Sequence, residues 1–196
     1  MKFKAIVLGA SAGGLQAIST ILMELEEGFN VPILIVQHLS PHSDNYMVTH
    51  LNHLCRLNVK EAEEKEKILP GNVYIAPPNY HMLVEEDETL SLTVEAKENY
   101  SRPSIDVLFD TAADVYRDGL IGVILTGANS DGSKGLKRIK ELGGITIVQD
   151  PETAETNSMP RAAIAITKVD YILELSAISA KLLELVGGEN KLNGQY

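Results

Sequence analysis

Ala5-Ile6-Val7-Leu8-Gly9-Ala10-Ser11-Ala12-Gly13-Gly14 is an apolar run that ends in a glycine-rich turn. The run has the character of a parallel strand buried on both faces. Two other stretches repeat the arrangement. Ile33-Leu34-Ile35-Val36 leads into Gln37-His38, and Ile121-Gly122-Val123-Ile124-Leu125 leads into Thr126-Gly127-Ala128-Asn129-Ser130-Asp131-Gly132. Open α/β sheets hold their sites beyond the carboxyl ends of such strands. One serine, one histidine and one aspartate are thus delivered to a single sheet edge, the equipment of a serine hydrolase.

Helical and strand patterns alternate along the rest of the chain. Leu15, Ile18, Leu22 and Leu25 recur at helical spacing. A helix is predicted over about 43–54, with Ser43 as its N-cap. Leu57-Asn58-Val59 and Val73-Tyr74-Ile75-Ala76 are further strands, the second stopped by Pro77-Pro78. Met82, Leu83 and Val84 face Leu90, Leu92 and Val94 across Glu85-Glu86-Asp87-Glu88, which predicts an antiparallel hairpin with an acidic tip. A helix starts near Ser104 with Ile105, Leu108, Phe109 and Ala112 inward. Another carries Leu136, Ile139 and Leu142 and stops at Gly143-Gly144. Strands at Ile145-Thr146-Ile147-Val148 and Tyr171-Ile172-Leu173 precede a last helix over about 176–186, ended by Gly187-Gly188. The expected fold is α/β: a doubly wound, mostly parallel sheet with helices on both faces and a small antiparallel β-hairpin. One catalytic domain is expected over 1–188, followed by a flexible polar tail over 189–196.

A length of 196 residues suits one domain with a two-sided core. The formal net charge of −10 argues against nucleic acid, which needs a basic footprint, and against anionic membrane surfaces. Cys55 is the only cysteine, so no intramolecular disulfide forms and a buried free thiol is expected. Met1-Lys2-Phe3-Lys4 runs straight into a short strand, and no apolar stretch approaches the roughly 20 residues that span a bilayer. A cytoplasmic protein without membrane insertion is expected. No cofactor is called for, and the oligomeric state is not legible.

Gly9-Ala10-Ser11-Ala12-Gly13 fits G-x-S-x-G, a strand-to-helix turn that exposes a serine hydroxyl above a sheet. Gly13 and Gly14 let the backbone pass close to a substrate. The helix that starts here aims N–H groups and partial positive charge at the site, which suits a developing oxyanion. The same geometry also serves phosphate-binding turns. Against that stand the spacing, G-x-x-x-G-G, and Gln37-His38 where a ribose-binding acid would stand. The turn alone leaves both readings open.

His38 follows the strand that βαβ topology places beside the first, so it is the histidine best placed to serve Ser11 as general base. His50 and His53 have the spacing of a metal pair but lack a third ligand nearby, so no metal site is expected. His42 is a loop residue, and His81 opens the hairpin without an evident role. Asp131 is either an N-cap or the residue that orients His38. The second role requires its strand to pack against strand one, opposite strand two.

Together Gly-Ala-Ser-x-Gly-Gly, Gln-His and Leu-Thr-Gly-x-x-x-Asp-Gly resemble the catalytic domain of chemotaxis protein-glutamate methylesterases, the CheB family. The likeness extends through Val59-Lys60-Glu61-Ala62, Leu69-Pro70-Gly71-Asn72-Val73-Tyr74-Ile75-Ala76-Pro77, Arg102-Pro103-Ser104-Ile105-Asp106-Val107-Leu108-Phe109 and Met159-Pro160-Arg161-Ala162-Ala163. It implies hydrolysis of glutamate γ-methyl esters, and deamidation of certain glutamines, on a methylated chemoreceptor-like helical protein. It places the triad on Ser11, His38 and Asp131. Backbone groups at Ala12, Gly13 and Ala128 become candidate oxyanion or substrate contacts, with Met159 lining the site edge. Arg102 and Arg161 either guide an acidic receptor helix or are ordinary helix-end and surface arginines.

Two departures stand out. Ala12 occupies a position that is often threonine, and Gly127-Ala128-Asn129 replaces the usual Gly-Met-Gly. Backbone donation survives either change. The family typically carries an N-terminal receiver domain, whereas this chain opens on its first catalytic strand and is expected to be a stand-alone catalytic domain. A serine esterase with another substrate, or a non-catalytic signalling module of this fold, are the alternatives.

Overall fold

β1 (Ala5–Ala10) is buried at every position and lies at the centre of the sheet. Its two neighbours are β2 (Ile33–Gln37) and β7 (Leu120–Ile124), also buried throughout and both parallel to it. Such double-sided burial is why these runs are continuously apolar rather than alternating. The computed structural model describes residues 2–40 and 45–187. The predicted Ser43 cap, His42, Gly188 and the 189–196 tail lie outside them.

Beyond β2 the sheet continues to β4 (Asn72–Ile75) and β3 (Asn58–Glu61). Beyond β7 it continues to β8 (Ile145–Gln149) and β9 (Tyr171–Leu173). The order β3-β4-β2-β1-β7-β8-β9 makes a seven-stranded parallel sheet. The chain winds one way from β1 to β2 and the other way from β7 to β8, so the direction reverses at β1–β7. Doubly wound sheets open their crevice at such a reversal. β5 (His81–Val84) and β6 (Leu90–Thr93) form the expected separate antiparallel hairpin.

Two cores follow from the strands' alternation. Ile6 and Leu8 point into a layer with α1 (Gly14–Met23), α2 (Tyr46–Leu54) and α6 (Leu175–Gly187), packing with Ile18, Leu22, Leu51 and Ile178. Ala5 and Val7 point the other way, among Leu108 and Phe109 of α3 (Ile105–Tyr116) and Leu136 and Ile139 of α4 (Ser133–Glu141). The hairpin residues Met82, Val84 and Leu90 close that second layer. No helix of the described residues is long and apolar enough to cross a membrane.

One element departs from expectation. α5 (Ser158–Ile166) is a helix that the sequence patterns did not mark. Its buried stripe is short, being Met159, Pro160 and Ala163, so it carries little helical periodicity. Pro160 sits in the first turn, where its missing N–H costs no hydrogen bond.

Candidate active site

Ser11 is the first residue after β1, and the turn that holds it is built on glycines. Gly13 has φ 76°, a left-handed conformation that L side chains rarely adopt, and it caps α1. Gly14 lies so close to Gln37 that an added Cβ would stand 1.8 Å from Gln37 Oε1. That close approach has a purpose. Gln37 Nε2 donates to the Ser11 carbonyl at 2.8 Å and to the His38 carbonyl at 3.0 Å, so one buried amide ties the serine turn to the histidine loop.

The β7 loop is fastened to the same turn. Ser11 N–H donates to the Thr126 carbonyl at 2.9 Å, and Thr126 Oγ1 donates to the Ala12 carbonyl at 2.8 Å. Gly127 donates to the Thr156 carbonyl and accepts from Met159 N–H, each at 2.9 Å. Met159 is 1% exposed, with its thioether packed against Gly127. It packs under the loop and supports it.

His38 Nε2 lies 2.8 Å from Asp131 Oδ2, with the aspartate fully buried and the ring 13% exposed. The condition on Asp131 is met, since β7 flanks β1 on the side opposite β2. Asp131 is not the N-cap of α4, a position held by Gly132. Its carboxylate instead faces the start of α3. Oδ2 accepts the Ile105 N–H at 2.7 Å, and Oδ1 accepts the Ser104 hydroxyl at 2.8 Å and the Asp106 N–H at 3.2 Å. Asn99 Nδ2 adds a donor to Oδ1 at 3.2 Å.

Burial pushes the Asp131 carboxyl up, but the bonds from His38, Ile105 and Ser104 outweigh it and hold it below the ordinary aspartate range. The group is therefore ionised at neutral pH and can only accept. His38 Nε2 must carry the proton, which leaves Nδ1 as the basic nitrogen. Asp106, close by, shows the opposite balance. Burial raises its pKa despite the Gly135 N–H at 2.7 Å, and Asp131 adds to the rise.

Ala12 and Ala128 are exposed at the turn and loop. Among the described residues neither backbone N–H donates a hydrogen bond, so both remain available to an oxyanion. Gly13 is half-buried beside them. The Ser11 hydroxyl is half-buried and makes no hydrogen bond among the described residues.

His38 opens onto a cavity of about 200 Å³, lined also by Lys97, Tyr100 and Arg102. Tyr100 is 98% exposed. The Arg102 guanidinium is occupied by the Val94 and Glu95 carbonyls at 2.6 and 2.7 Å and by Asn79. Arg161 lies on the surface, paired with Glu152 at 2.7 Å.

Several contributors escaped the sequence. Asn99 and Ser104 hold Asp131, and buried His81 accepts the Ser104 N–H on Nδ1 at 3.2 Å and donates from Nε2 to Ala96 at 3.1 Å. Only the stretch Arg102-Pro103-Ser104-Ile105-Asp106 signalled that region. His50 stacks on Tyr46, and the half-buried Cys55 thiol is pushed up by burial.

The CheB methylesterase family matches residues 6–182. A protein of Leptospira interrogans serogroup Icterohaemorrhagiae, provisionally named protein-glutamate methylesterase/protein-glutamine glutaminase, is 56% identical over 94% of this chain and 96% of its own. The protein-glutamate methylesterase/protein-glutamine glutaminase of Thermotoga maritima is 38% identical over 93% of this chain, which spans 54% of that relative. The crystal structure of the Thermotoga maritima CheB methylesterase catalytic domain superposes with a TM-score of 0.90 at 37% identity. It covers 93% of this chain and 98% of that one.

Proposed function

This chain belongs to the CheB methylesterase family, and we propose that Ser11, His38 and Asp131 are its catalytic triad, hydrolysing glutamate γ-methyl esters on methylated chemoreceptors. The observation that carries the reading is the 2.8 Å bond from His38 Nε2 to a buried, ionised Asp131, at the edge where β1 presents Ser11 between them in strand order.

In the proposed reaction His38 Nδ1 removes the Ser11 hydroxyl proton as Oγ attacks the ester carbonyl carbon. Asp131 stabilises the imidazolium that forms. The tetrahedral oxyanion is met by the Ala12 and Ala128 N–H groups near the start of α1, whose partial positive charge assists. The C–O bond to the methoxy group then breaks, and the proton on Nδ1 leaves with it as methanol. Water, deprotonated by the same nitrogen, then attacks the acyl carbon; the C–Oγ bond breaks, Nδ1 returns the proton to Ser11 Oγ, and the glutamate leaves as its carboxylate with release of a proton. A glutamine side chain in the same place would lose ammonia, which is deamidation.

The lone Cys55 needs no oxidising compartment, and we place the reaction in the cytoplasm. The test is methanol release from a methylated chemoreceptor fragment by wild type and Ser11→Ala. Loss of about 10⁶-fold in turnover is expected. Release that survives Ser11→Ala overturns the triad. No release from wild type, with the fold intact by circular dichroism, points to a different ester or to a binding role.

A further inference from the structure

Asn129 touches both partners of the His38–Asp131 pair. Its Oδ1 accepts the Asp131 N–H at 3.1 Å, and its Nδ2 lies 3.4 Å from His38 Nδ1. The first bond fixes the orientation of the amide, because only an oxygen can accept from a backbone N–H. The group facing the ring is therefore an NH₂ donor. His38 Nδ1 is the unprotonated nitrogen, since Nε2 gives its proton to the ionised Asp131.

An imidazole nitrogen has one lone pair, directed in the plane of the ring. The Asn129 amide hydrogen and the Ser11 hydroxyl hydrogen need the same lone pair. We infer that Asn129 caps the basic nitrogen of His38 in the resting enzyme and competes with Ser11 for it, so that the nucleophile is activated only when bound substrate draws Ser11 Oγ–H onto Nδ1. The inference rests on the triad reading and adds a restraint to it. The contact is long, so the restraint is mild and reversible. Asn129 is half-buried and held from one end only through Asp131 N–H, which leaves its amide free to turn aside.

The restraint acts on the proton acceptor and not on ester binding. Removing the cap raises the rate at which Ser11 reacts without changing affinity for the ester. A residue that merely supported the loop would have the opposite effect, since loosening Asp131 would slow the reaction.

The experiment is fluorophosphonate labelling of Ser11, with steady-state methanol release from a methylated receptor fragment measured in parallel. Wild type is compared with Asn129→Ala, Asn129→Ser and Ser11→Ala. Asn129→Ser retains a side-chain oxygen two residues before the Asp131 N–H, so the turn keeps its acceptor while the amide donor is lost. Roughly three- to ten-fold faster labelling in Asn129→Ser is expected from the loss of one such bond, with kcat raised and KM unchanged, and a smaller gain in Asn129→Ala, which also loses the acceptor of the Asp131 N–H. Labelling that is unchanged or slower in Asn129→Ser, with its circular dichroism intact, overturns the inference. Labelling that persists in Ser11→Ala, or is absent from wild type, overturns the triad reading and the inference with it.

Discussion

Asp131 precedes α4 in the chain, yet its Oδ2 accepts the N–H of Ile105, the first residue of α3, at 2.7 Å. The carboxylate that faces His38 is thereby seated on the positive end of a helix that is remote in sequence. Its charge is held by donors on three sides while water is excluded.

Replacing that charge should cost far more turnover than stability. In Asp131→Asn an amide oxygen in the place of Oδ2 can still accept from His38 and the Ile105 N–H, but the NH₂ then faces the Asp106 N–H in the place of Oδ1, and the negative charge opposite His38 is gone. A loss of kcat of about 10⁴-fold is expected, the size seen when a triad aspartate is made neutral. Methanol release under single-turnover conditions checks it.

The lowered pKa of Asp131 has a sign in acid. Its folded value lies below its unfolded one, near 3.9 for an ordinary aspartate. The stabilisation is therefore fully present above that unfolded value and is lost as pH falls through the folded one. Asp106, raised in the folded state, works the other way over the acid range above its unfolded value. Urea midpoints of wild type and Asp131→Asn between neutral pH and pH 3 should converge as the solution is acidified. A constant gap would contradict the assignment.

Ser104→Ala removes one donor from Asp131 Oδ1 and leaves the remaining N–H bonds in place. A cost of about 1.5–3 kcal/mol is expected for a bond to a charged group, visible as a lower thermal midpoint and a reduced kcat. A variant with wild-type kcat would show that the hydroxyl plays no part in holding the carboxylate.

Gly14→Ala drives a methyl into the Gln37 amide, which is itself pinned to two carbonyls. Because Gln37 cannot retreat without releasing both loops, overpacking of about 1–3 kcal/mol should appear as lost stability. Ser11 labelling should fall with it, and Gly28→Ala, where an added Cβ meets nothing within 4 Å, is the matched control.

The strands that carry the site were plain in the sequence because their burial is complete. β1, β2 and β7 have no solvent face, so nothing interrupts their apolar runs. The placement of β7 against β1 was not legible in the sequence and stood only as a condition on the role of Asp131; the register Gly9↔Ile124 meets it. What remained hidden depends on contacts between distant segments. Asn99, Ser104 and His81 carry no spacing signal, since their partners lie 15–32 residues away. Asp131 looked like an N-cap because it stands before a helix, and it does satisfy helix N–H groups, but those of α3. α5 was missed because its buried stripe, Met159, Pro160 and Ala163, is too short to show a helical period.

The sheet order also sets when the protein can first become itself. β1 is made before the other strands of the sheet, and β2 can pair along one of its edges soon after. Its other edge waits for Leu120–Ile124, by which time β3, β4 and the hairpin have already been made. Between the synthesis of β2 and that of β7 the nascent chain thus presents an apolar, unpaired strand edge, the kind of surface that invites association with other chains. On the proposed triad the same delay keeps the nascent chain chemically silent, because Asp131 arrives just after the strand that closes the edge.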